Sequence, residues 1–343
     1  MVRKEFRSDT MTLPTQAMRD AMRDAEVGDD VCEEDPTINR LQEMAADMLG
    51  KEEGLFVPSG TAGNQCAVGV HTRPGNELIV SETSHTIDHE VGASGALWGV
   101  QTRIILPTSK RYLTKEDIAA RLRLVDDVHE PDTGLIILEN ALSDGTVMPI
   151  EEMRSVKELA EKHGIRVHLD GARLFNGALT LEVDPKEITA HADSVMICLA
   201  KGLGAPVGSL LLGTTDFIKH ARKVRKMMGG GMRQAGVLAA PGIIALTEGV
   251  ERLAEDHANA KLLGNLLAEI SGIIVDCESV QTNMVFCRVD KMGRTEAGLV
   301  EYLNNNSFHA YRPAWYGLRF VTSREVNEED VRALVKTVGD YLE

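Results

Sequence analysis

The sequence has no excess of positive charge, no paired cysteine motif and no long hydrophobic run. Its formal net charge is −15 over 343 residues, which argues against binding to nucleic acid or to an anionic membrane surface. The five cysteines are an odd number without a CxxC pair. This usage is typical of the reducing cytosol, so we expect a cytoplasmic protein without a disulfide framework. No apolar run is long enough to span a membrane, and the N-terminal residues MVRKEFRSDT lack the apolar region of a signal peptide.

The chain is long enough for one large domain and a smaller one. Hydrophobic residues make up 43% of it, which is sufficient for a sizeable core. Short apolar runs alternate with helical stretches, and this alternation predicts an α/β fold with a mostly parallel sheet covered by helices. The predicted strands are 77–80, 102–106, 134–138, 165–169, 194–199 and 208–212, and the predicted helices among them are 85–97, 115–124 and 150–163.

The sequence also predicts the domain boundaries and the elements near both termini. We expect an N-terminal segment over 1–25, a large domain over 26–250 and a small α+β domain over 251–343. Pro14 suits the first position of a short helix, and Pro36 suits the first position of an amphipathic helix over 36–50. The remaining predicted elements are a basic helix at 216–228, a long helix at 235–270, strands at 273–276, 283–289 and 317–322, and helices at 295–305 and 328–342.

An aspartate and a lysine follow two neighbouring predicted strands. Asp170 comes after the run Ile165–Leu169, and Lys201 comes after Ser194–Leu199. Ligands of parallel α/β sheets bind at the carboxyl ends of the strands, where we expect both residues. Pyridoxal phosphate (PLP) requires such a pair, because the amine binds the cofactor covalently and the carboxylate keeps its ring nitrogen protonated. Taken alone, such a pair is more often a helix-capping aspartate and a solvated loop lysine.

A segment of small residues, Ser59–Asn64, precedes a predicted helix. Backbone amides at Gly60 and Thr61 could approach a phosphate there, and a helix N-terminus favours an anion. An ordinary capped loop has the same composition. The segment lies far upstream of Lys201, as expected if the lysine and a phosphate site come from different strands.

Histidines and a carboxylate follow two other predicted strands. His85 follows the strand at 77–80 and could stack on a planar ring or act as a base, although a capping histidine is the alternative. His89 lies about one turn further on, so one helix could present both imidazoles to the same side. Glu139 and Asn140 follow the strand at 134–138, and either could reach a cofactor ring.

Four basic residues are candidates for binding carboxylate or phosphate groups. Arg173, three residues after Asp170, is placed to hold a substrate carboxylate with two hydrogen bonds, and Arg319 is a second candidate. Lys226 and Arg233 flank three consecutive glycines, which favours a binding loop. A surface ion pair or a solvated helix face is the alternative for each.

Together, these segments resemble the low-specificity L-threonine aldolases, which are PLP enzymes of the aspartate-aminotransferase fold type. The resemblance covers nearly the whole chain. It rests on the segments 7–10 (RSDT), 27–30 (VGDD), 34–37 (EDPT), 56–61 (FVPSGT), 167–173 (VHLDGAR), 201–209 (KGLGAPVGS) and 229–234 (GGGMRQ). It implies PLP fold type I with a mostly parallel, seven-stranded sheet, and homotetramers built as dimers of dimers.

The resemblance also implies a role for individual positions. The implied catalytic residues are Lys201, His85 and Asp170. The implied cofactor-binding residues are Gly60, Thr61, His85, Glu139, Asp170, Arg173, Lys201, Lys226 and Arg233, of which Lys226 and Arg233 would reach the site of a neighbouring subunit. The implied substrate-binding residues are Ser8, His89, Arg173 and Arg319. We expect a small amino acid as the substrate and no metal.

Two departures from the family fall at the β-carbon end of the substrate. Family members continue Glu-Asn with Thr-His, whereas here Ala141 and Leu142 follow Glu139-Asn140. His89 occupies a position where many members have an aromatic residue. We therefore expect PLP-dependent cleavage of L-threonine or L-allo-threonine to glycine and an aldehyde, with His85, or a water held by His85 and His89, as the base. The alternatives are racemisation or transamination of a small amino acid, or a non-catalytic PLP-binding protein.

Overall fold

The computed structural model describes residues 4–123, 127–313 and 317–343. Its strands are β1 (Lys4–Glu5), β2 (Glu53–Val57), β3 (Glu77–Ser81), β4 (Gln101–Ile105), β5 (Thr133–Glu139), β6 (Arg166–Gly171), β7 (Ser194–Cys198), β8 (Ser209–Gly213), β9 (Ile273–Val275), β10 (Met284–Val289), β11 (Phe308–His309) and β12 (Leu318–Val321). Its helices are α1 (Gln16–Asp24), α2 (Pro36–Leu49), α3 (Gly60–His71), α4 (His85–Asp88), α5 (Ala93–Trp98), α6 (Lys115–Ala119), α7 (Ile150–Lys162), α8 (Leu174–Leu181), α9 (Pro185–Thr189), α10 (Thr215–Met227), α11 (Gly236–Ile244), α12 (Val250–Ala268), α13 (Glu296–Asn305) and α14 (Glu328–Leu342).

A seven-stranded sheet forms the centre of the larger part, in the order β2-β8-β7-β6-β5-β3-β4. Only β8 runs antiparallel to its neighbours, so the predicted mostly parallel α/β architecture is confirmed. Strands such as β5 and β6 are buried on both faces, which explains why they read as continuous apolar runs. Six of the seven strands match predicted strands. The seventh, β2, is an edge strand whose apolar stretch is only three residues long, too short to distinguish from a loop.

Of the two helices predicted near the N-terminus, one is confirmed and the other begins later than expected. The amphipathic helix at 36–50 is confirmed as α2, which begins at Pro36 with the Asp35 side chain capping its first amides. The helix expected to begin at Pro14 is shifted. It begins at Gln16, because the side chain of Thr15 caps the amide of Met18 and so fixes the start after the proline.

The helix predicted over 85–97 is broken into α4 and α5. The break lies at Val91 and Gly92, which adopt left-handed backbone conformations with φ of 56° and 68°. It turns the side chain of Glu90 into the interior, where this residue is 1% exposed. The break therefore has a structural role, because a continuous helix would carry Glu90 elsewhere.

The smaller part is built from the C-terminal third of the chain. The antiparallel strands β12-β10-β9 pack with α12, α13 and α14 around a separate apolar core. Residues of the N-terminal segment join it, because β1 pairs in parallel with β11 and Phe6 is fully buried in that core. The predicted long helix over 235–270 is present as α11 and α12, joined by a π-helical segment at Ala245–Gly249. The predicted domain boundaries at 25 and 250 stay predictions.

The parallel strands bring their carboxyl ends to one edge of the large sheet. β5, β6 and β7 are adjacent, and the residues that follow them lie side by side. α3 and α4 begin after β2 and β3. This edge therefore collects Gly60, His85, Glu139, Asp170 and Lys201. Among the described residues, no helix is long and apolar enough to cross a membrane.

Candidate active site

Asp170 and Lys201 lie at the same edge of the sheet, as the sequence predicts. Asp170 is in β6, next to Met196 of β7, and Lys201 is three residues after the end of β7. Among the described residues, the Lys201 amine has no hydrogen-bond or ion-pair partner. Its charge nevertheless lowers the pKa of Asp9 and opposes protonation of His85, so these two residues face it.

The carboxylate of Asp170 is buried and held on both oxygens. Its Oδ1 accepts a hydrogen bond from the backbone of Ala172 at 3.0 Å, and its Oδ2 accepts one from the side-chain amide of Asn64 at 2.7 Å. Asp170 is 1% exposed and Asn64 is fully buried. The sequence interpretation gave Asn64 no role, although this residue ends the Ser59–Asn64 segment. A polar side chain in the second turn of a buried small-residue helix is the signal that would have found it.

His85 is oriented by a buried carboxylate. Its Nδ1 lies 2.9 Å from Oε1 of Glu90, whose Oε2 accepts a hydrogen bond from Gln65 at 2.7 Å. The hydrogen bond to Glu90 raises the pKa of His85 above its ordinary value. Because Nδ1 donates to Glu90, the neutral ring presents Nε2 as its basic atom. Glu90 is thus a second residue whose role was missed, since it depends on the helix break at Val91.

His89 lies beside His85, but for a different reason than predicted. The prediction that both imidazoles share a helix face is wrong, because α4 ends at Asp88 and His89 has a non-helical φ of −131°. The two rings are nevertheless 5.3 Å apart between centroids and inclined by 55°. His89 is exposed, so it lies at the rim of the site.

Glu139 and Asn140 point in opposite directions. Glu139 accepts hydrogen bonds from the His85 backbone at 3.1 Å and from the Ser143 hydroxyl at 2.7 Å. Burial and the negative charge of Asp170 raise the pKa of Glu139 to about 7. Asn140 bonds instead to the backbone of Met148. Only Glu139 therefore remains a candidate near the cofactor, and Asn140 holds the following loop.

Arg173 is paired with an aspartate of the N-terminal segment. Its Nε and Nη2 donate to the two oxygens of Asp9 at 2.8 and 2.6 Å. Burial opposes ionisation of Asp9, but the Arg173 charge outweighs it and holds the Asp9 pKa well below its usual range. Asn283 of the smaller part donates to the same carboxylate at 3.3 Å. Asp9 was missed because it is remote in sequence from Arg173.

The two other residues predicted to bind the substrate carboxylate lie at the same junction. Ser8 is buried, and its hydroxyl donates to Asp9 at 3.4 Å and accepts from the amide of Thr10 at 3.3 Å. Arg319, in β12, donates through Nη2 to the backbone oxygen of Arg7 at 3.5 Å. The structure therefore brings Ser8 next to the Asp9–Arg173 pair and Arg319 to the same N-terminal segment.

The start of α3 offers a phosphate site. Its first amides, at Gly60 and Thr61, have no carbonyl partner within the helix, and Ser59 caps the amide of Ala62 at 3.1 Å. A Cβ on Gly63 would lie 2.7 Å from a side-chain carbon of Met196, so glycine lets α3 pack closely on the sheet. With the unpartnered Lys201 amine and the buried Asp170 carboxylate at the same edge, the residues present fit PLP.

Lys226 and Arg233 lie around the glycine turn that follows α10. Arg233 pairs with Asp29 at 2.7 Å, and its side chain is 59% exposed. Lys226 is near Gly231, whose hypothetical Cβ would meet the lysine side chain at 2.7 Å. The neighbouring Arg225 is buried and pairs with Asp30 at 2.9 Å. A role for Lys226 and Arg233 in a neighbouring subunit stays a prediction.

The ligand atoms of His85, Glu90 and Asp170 lie within 4.8 Å of one another. Such a group could surround a cation, but Asn64 already lies between the two carboxylates and donates to both, at 2.8 Å and 2.7 Å. We therefore interpret the cluster as a hydrogen-bonded network. The expectation of no metal stays a prediction.

Comparison with known proteins identifies a family and full-length relatives. The model of the beta-eliminating lyase family matches residues 5–290. Low-specificity L-threonine aldolase 1 of Arabidopsis thaliana is 42% identical over 95% of this chain and 93% of its own length. The low specificity L-threonine aldolase of Escherichia coli K12 is 41% identical over 95% of this chain and 96% of its own. The structure of a Leishmania major threonine aldolase has a TM-score of 0.84 at 22% identity, covering 99% of this chain and 100% of that one, and thus shares the fold.

Proposed function

Since the chain belongs to the beta-eliminating lyase family, among the low-specificity L-threonine aldolases, we propose that it cleaves L-threonine and L-allo-threonine to glycine and acetaldehyde. It is a PLP-dependent carbon–carbon lyase, and its substrates are β-hydroxy-α-amino acids. The observation that carries the proposal is that one edge of the sheet holds both a lysine amine without a partner among the described residues and a buried aspartate that is held on both oxygens.

Lys201 and Asp170 would hold the cofactor, with its phosphate at Gly60 and Thr61. When bound, PLP supplies a protonated ring that accepts the electron pair left on Cα as the bond to Cβ breaks. Glu139 would lie beside the ring, next to Asp170 in the adjacent strand. The His85 imidazole, oriented by Glu90, would cover the ring.

His85 would also act as the base that accepts the proton of the β-hydroxyl. Its neutral Nε2 would accept the proton of the β-hydroxyl, so that the β-carbon becomes the carbonyl of the aldehyde while the Cα–Cβ bond breaks. The positive charge that forms on the imidazole is stabilised by Glu90 at 2.9 Å. A water held by His85 and His89 is the other route, because the two rings are close. Cα then takes up a proton, and glycine is complete.

Arg173 would orient the substrate through its carboxylate. Asp9 occupies Nε and Nη2 of the guanidinium, and Nη1 has no hydrogen bond to a described residue, so Nη1 is available. Ser8 and Arg319 would complete the carboxylate site. A fixed carboxylate sets the torsion about the amine–Cα bond and thereby selects Cα–Cβ as the bond that breaks.

The assembly we propose is a homotetramer, built as a dimer of dimers, in the cytoplasm. Its support is the exposed Arg233 and the exposed apolar side chains of Met227 and Val237, which lie on both sides of the glycine turn. All five cysteines are free, in agreement with a reducing compartment. Light scattering that gives the mass of four chains would support the tetramer, and the mass of one chain would rule it out.

A product assay tests the proposed reaction. Purified protein is incubated with L-threonine, L-allo-threonine, L-serine or D-threonine, and glycine, aldehyde, keto acid and D-amino acid are measured. We expect glycine and acetaldehyde in equal amounts from the two L-threonine diastereomers. A keto acid, or the enantiomer of the substrate, without glycine would show an aminotransferase or a racemase instead.

A further inference from the structure

A line of buried hydrogen bonds leads from Asp170 away from the candidate active site. The Asn64 amide that holds Asp170 accepts, through Oδ1, a hydrogen bond from Nε2 of His168 at 3.1 Å. Nδ1 of His168 lies 2.8 Å from the hydroxyl of Ser194, which lies 2.8 Å from Nε2 of His71. Asn64, His168 and Ser194 are all fully buried. None of the steps in the proposed reaction uses His168, Ser194 or His71.

The backbone makes this line rigid. His168 and Asp170 are two residues apart in β6, so their side chains leave the same face of the sheet. Ser194 is the register partner of His168 in the adjacent strand β7. His71 is the last residue of α3, the helix that carries Asn64, and its ring stacks on Phe217 at 4.7 Å. His71, at the far end of this series of hydrogen bonds, and Phe217 form part of the wall of a cavity of about 660 Å³.

The orientation of the Asn64 amide determines the positions of the hydrogens in this line. The Asn64 Nδ2 group faces the carboxylates of Asp170 and Glu90, so its Oδ1 faces His168. The His168 Nε2 must therefore carry a hydrogen, because two lone pairs would otherwise face each other. Burial lowers the pKa of His168 to about 3, so the ring is neutral and its Nδ1 is bare.

The remaining hydrogens continue in the same direction. The bare Nδ1 of His168 accepts the hydroxyl hydrogen of Ser194, whose oxygen then accepts from Nε2 of His71. Burial lowers the pKa of His71 to about 4, so a neutral His71 carries its hydrogen on Nε2. Every donor in the line thus points toward Asp170, and the nearest imidazole donor, Nε2–H of His168, fixes the Asn64 amide that holds this carboxylate.

We propose that His168 is a positioning residue that fixes the amide of Asn64 and thereby keeps the Asp170 carboxylate in place and oriented toward the cofactor site. The same amide donates to Glu90, which orients His85. One imidazole thus supports two residues that would hold the cofactor, Asp170 and His85. This role rests on the proposed function, because Asp170 is assigned there to hold the cofactor.

Three variants separate this role from simple packing. His168→Phe keeps an aromatic ring of similar shape but removes the donor to Asn64. His168→Gln keeps a terminal amide N–H that can donate to Asn64. Ser194→Ala, the matched control, removes the two hydrogen bonds that Ser194 makes with His168 and His71 and leaves the bond between His168 and Asn64 possible.

Cofactor retention is the main readout, and it does not depend on turnover. The purified holoenzymes are dialysed to equilibrium against increasing dilutions of free PLP, and thermal unfolding is recorded for each variant. We expect His168→Phe to bind PLP about tenfold more weakly, and His168→Gln and Ser194→Ala to stay within about threefold of wild type. Equal weakening in His168→Phe and Ser194→Ala, or none in His168→Phe, would overturn the proposal.

The hydrogen positions are tested in the wild-type holoenzyme, in case His168→Phe does not fold. In ¹⁵N-histidine spectra, the signal absent from His168→Gln should show a protonated Nε2 and a bare Nδ1 from pH 6 to 9. A hydrogen on Nδ1, or titration in this range, would contradict the proposal. If the product assay shows no aldol cleavage while these results hold, the proposed reaction fails and the positioning of Asp170 stands.

Discussion

The Nδ1 atom of His85 lies 2.9 Å from Oε1 of Glu90, a carboxylate that solvent does not reach. The same carboxylate accepts hydrogen bonds from Asn64 and Gln65, so its position is fixed from three sides. The hydrogen bond raises the pKa of His85. His85 therefore loses its proton, and becomes a base, at a higher pH than an ordinary histidine.

The first prediction concerns this pair. In wild type, kcat/KM for L-threonine should rise with pH through an apparent pKa above 6.5, the ordinary value of His85. Glu90→Gln removes the charge that favours the imidazolium, so this limb of the pH profile should move to lower pH. Asp88→Asn, at an exposed neighbour of His85, is the control and should leave the limb in place. A limb that moves upward in Glu90→Gln would contradict the assignment.

The second prediction concerns the buried pair of Asp9 and Arg173. Asp9→Asn leaves a buried guanidinium without its counter-charge, and breaking such a pair costs about 3–5 kcal/mol. Asp24→Asn, which breaks the exposed pair with Arg23, should change the free energy of unfolding far less than Asp9→Asn does. Urea unfolding of the three proteins at pH 7 measures both values. Similar values for the two variants would show that Asp9 is not the essential partner of Arg173.

The difference in unfolding free energy between wild type and Asp9→Asn depends on pH in a way that follows from the direction of the Asp9 pKa shift. The Asp9 pKa lies below its ordinary value of 3.8 in the folded protein, so its ionisation contributes stability above that value. The contribution is lost as the pH falls through the folded pKa. Wild type should therefore keep its advantage over Asp9→Asn from pH 7 to pH 5. An advantage that disappears within this range would point to another group.

How much of the site can be predicted from the sequence depends on how far apart the interacting residues lie along the chain. Asp170 and Lys201 follow recognisable strands, and the topology of a parallel sheet places them together. Asp9 could not be matched with Arg173, because no local pattern connects residues 164 positions apart. The role of Glu90 could not be predicted for another reason. Its inward position needs the left-handed turn at Val91, and a valine rarely adopts that conformation.

The third prediction concerns the stereochemistry at the β-carbon. Ala141 and Leu142 are buried and apolar, so they offer no side-chain hydrogen bond to the β-hydroxyl. His89 is exposed at the rim, and one hydrogen bond is worth roughly 0.5–1.5 kcal/mol, about threefold to tenfold. We expect kcat/KM for L-threonine and L-allo-threonine to differ by no more than about tenfold.

His89→Phe tests the role of the exposed histidine in this preference. If His89 shares the proton-transfer water with His85, the variant should have a lower kcat and a changed ratio of kcat/KM between the two diastereomers. Unchanged rates and ratios would remove His89 from the reaction. A wild-type preference above about a hundredfold, roughly 2.7 kcal/mol, would reveal a stronger contact than these residues provide.

The fourth prediction concerns Asp170. Asp170→Asn replaces the buried carboxylate by a neutral amide, which cannot keep the ring nitrogen protonated. The variant should retain some PLP, because Lys201 and the start of α3 are unchanged, and should lose most of its turnover. PLP content and kcat are measured on the same preparation. Turnover close to that of wild type would exclude Asp170 from the reaction.

The most direct measurement is to locate the lysine that carries the cofactor. The purified holoenzyme is treated with borohydride, which links PLP permanently to its lysine, and the modified peptide is identified by mass spectrometry. The chain should carry the label on Lys201, and Lys201→Ala should carry none and show no cleavage of L-threonine. A label on any other lysine of the wild-type protein would contradict the central assignment.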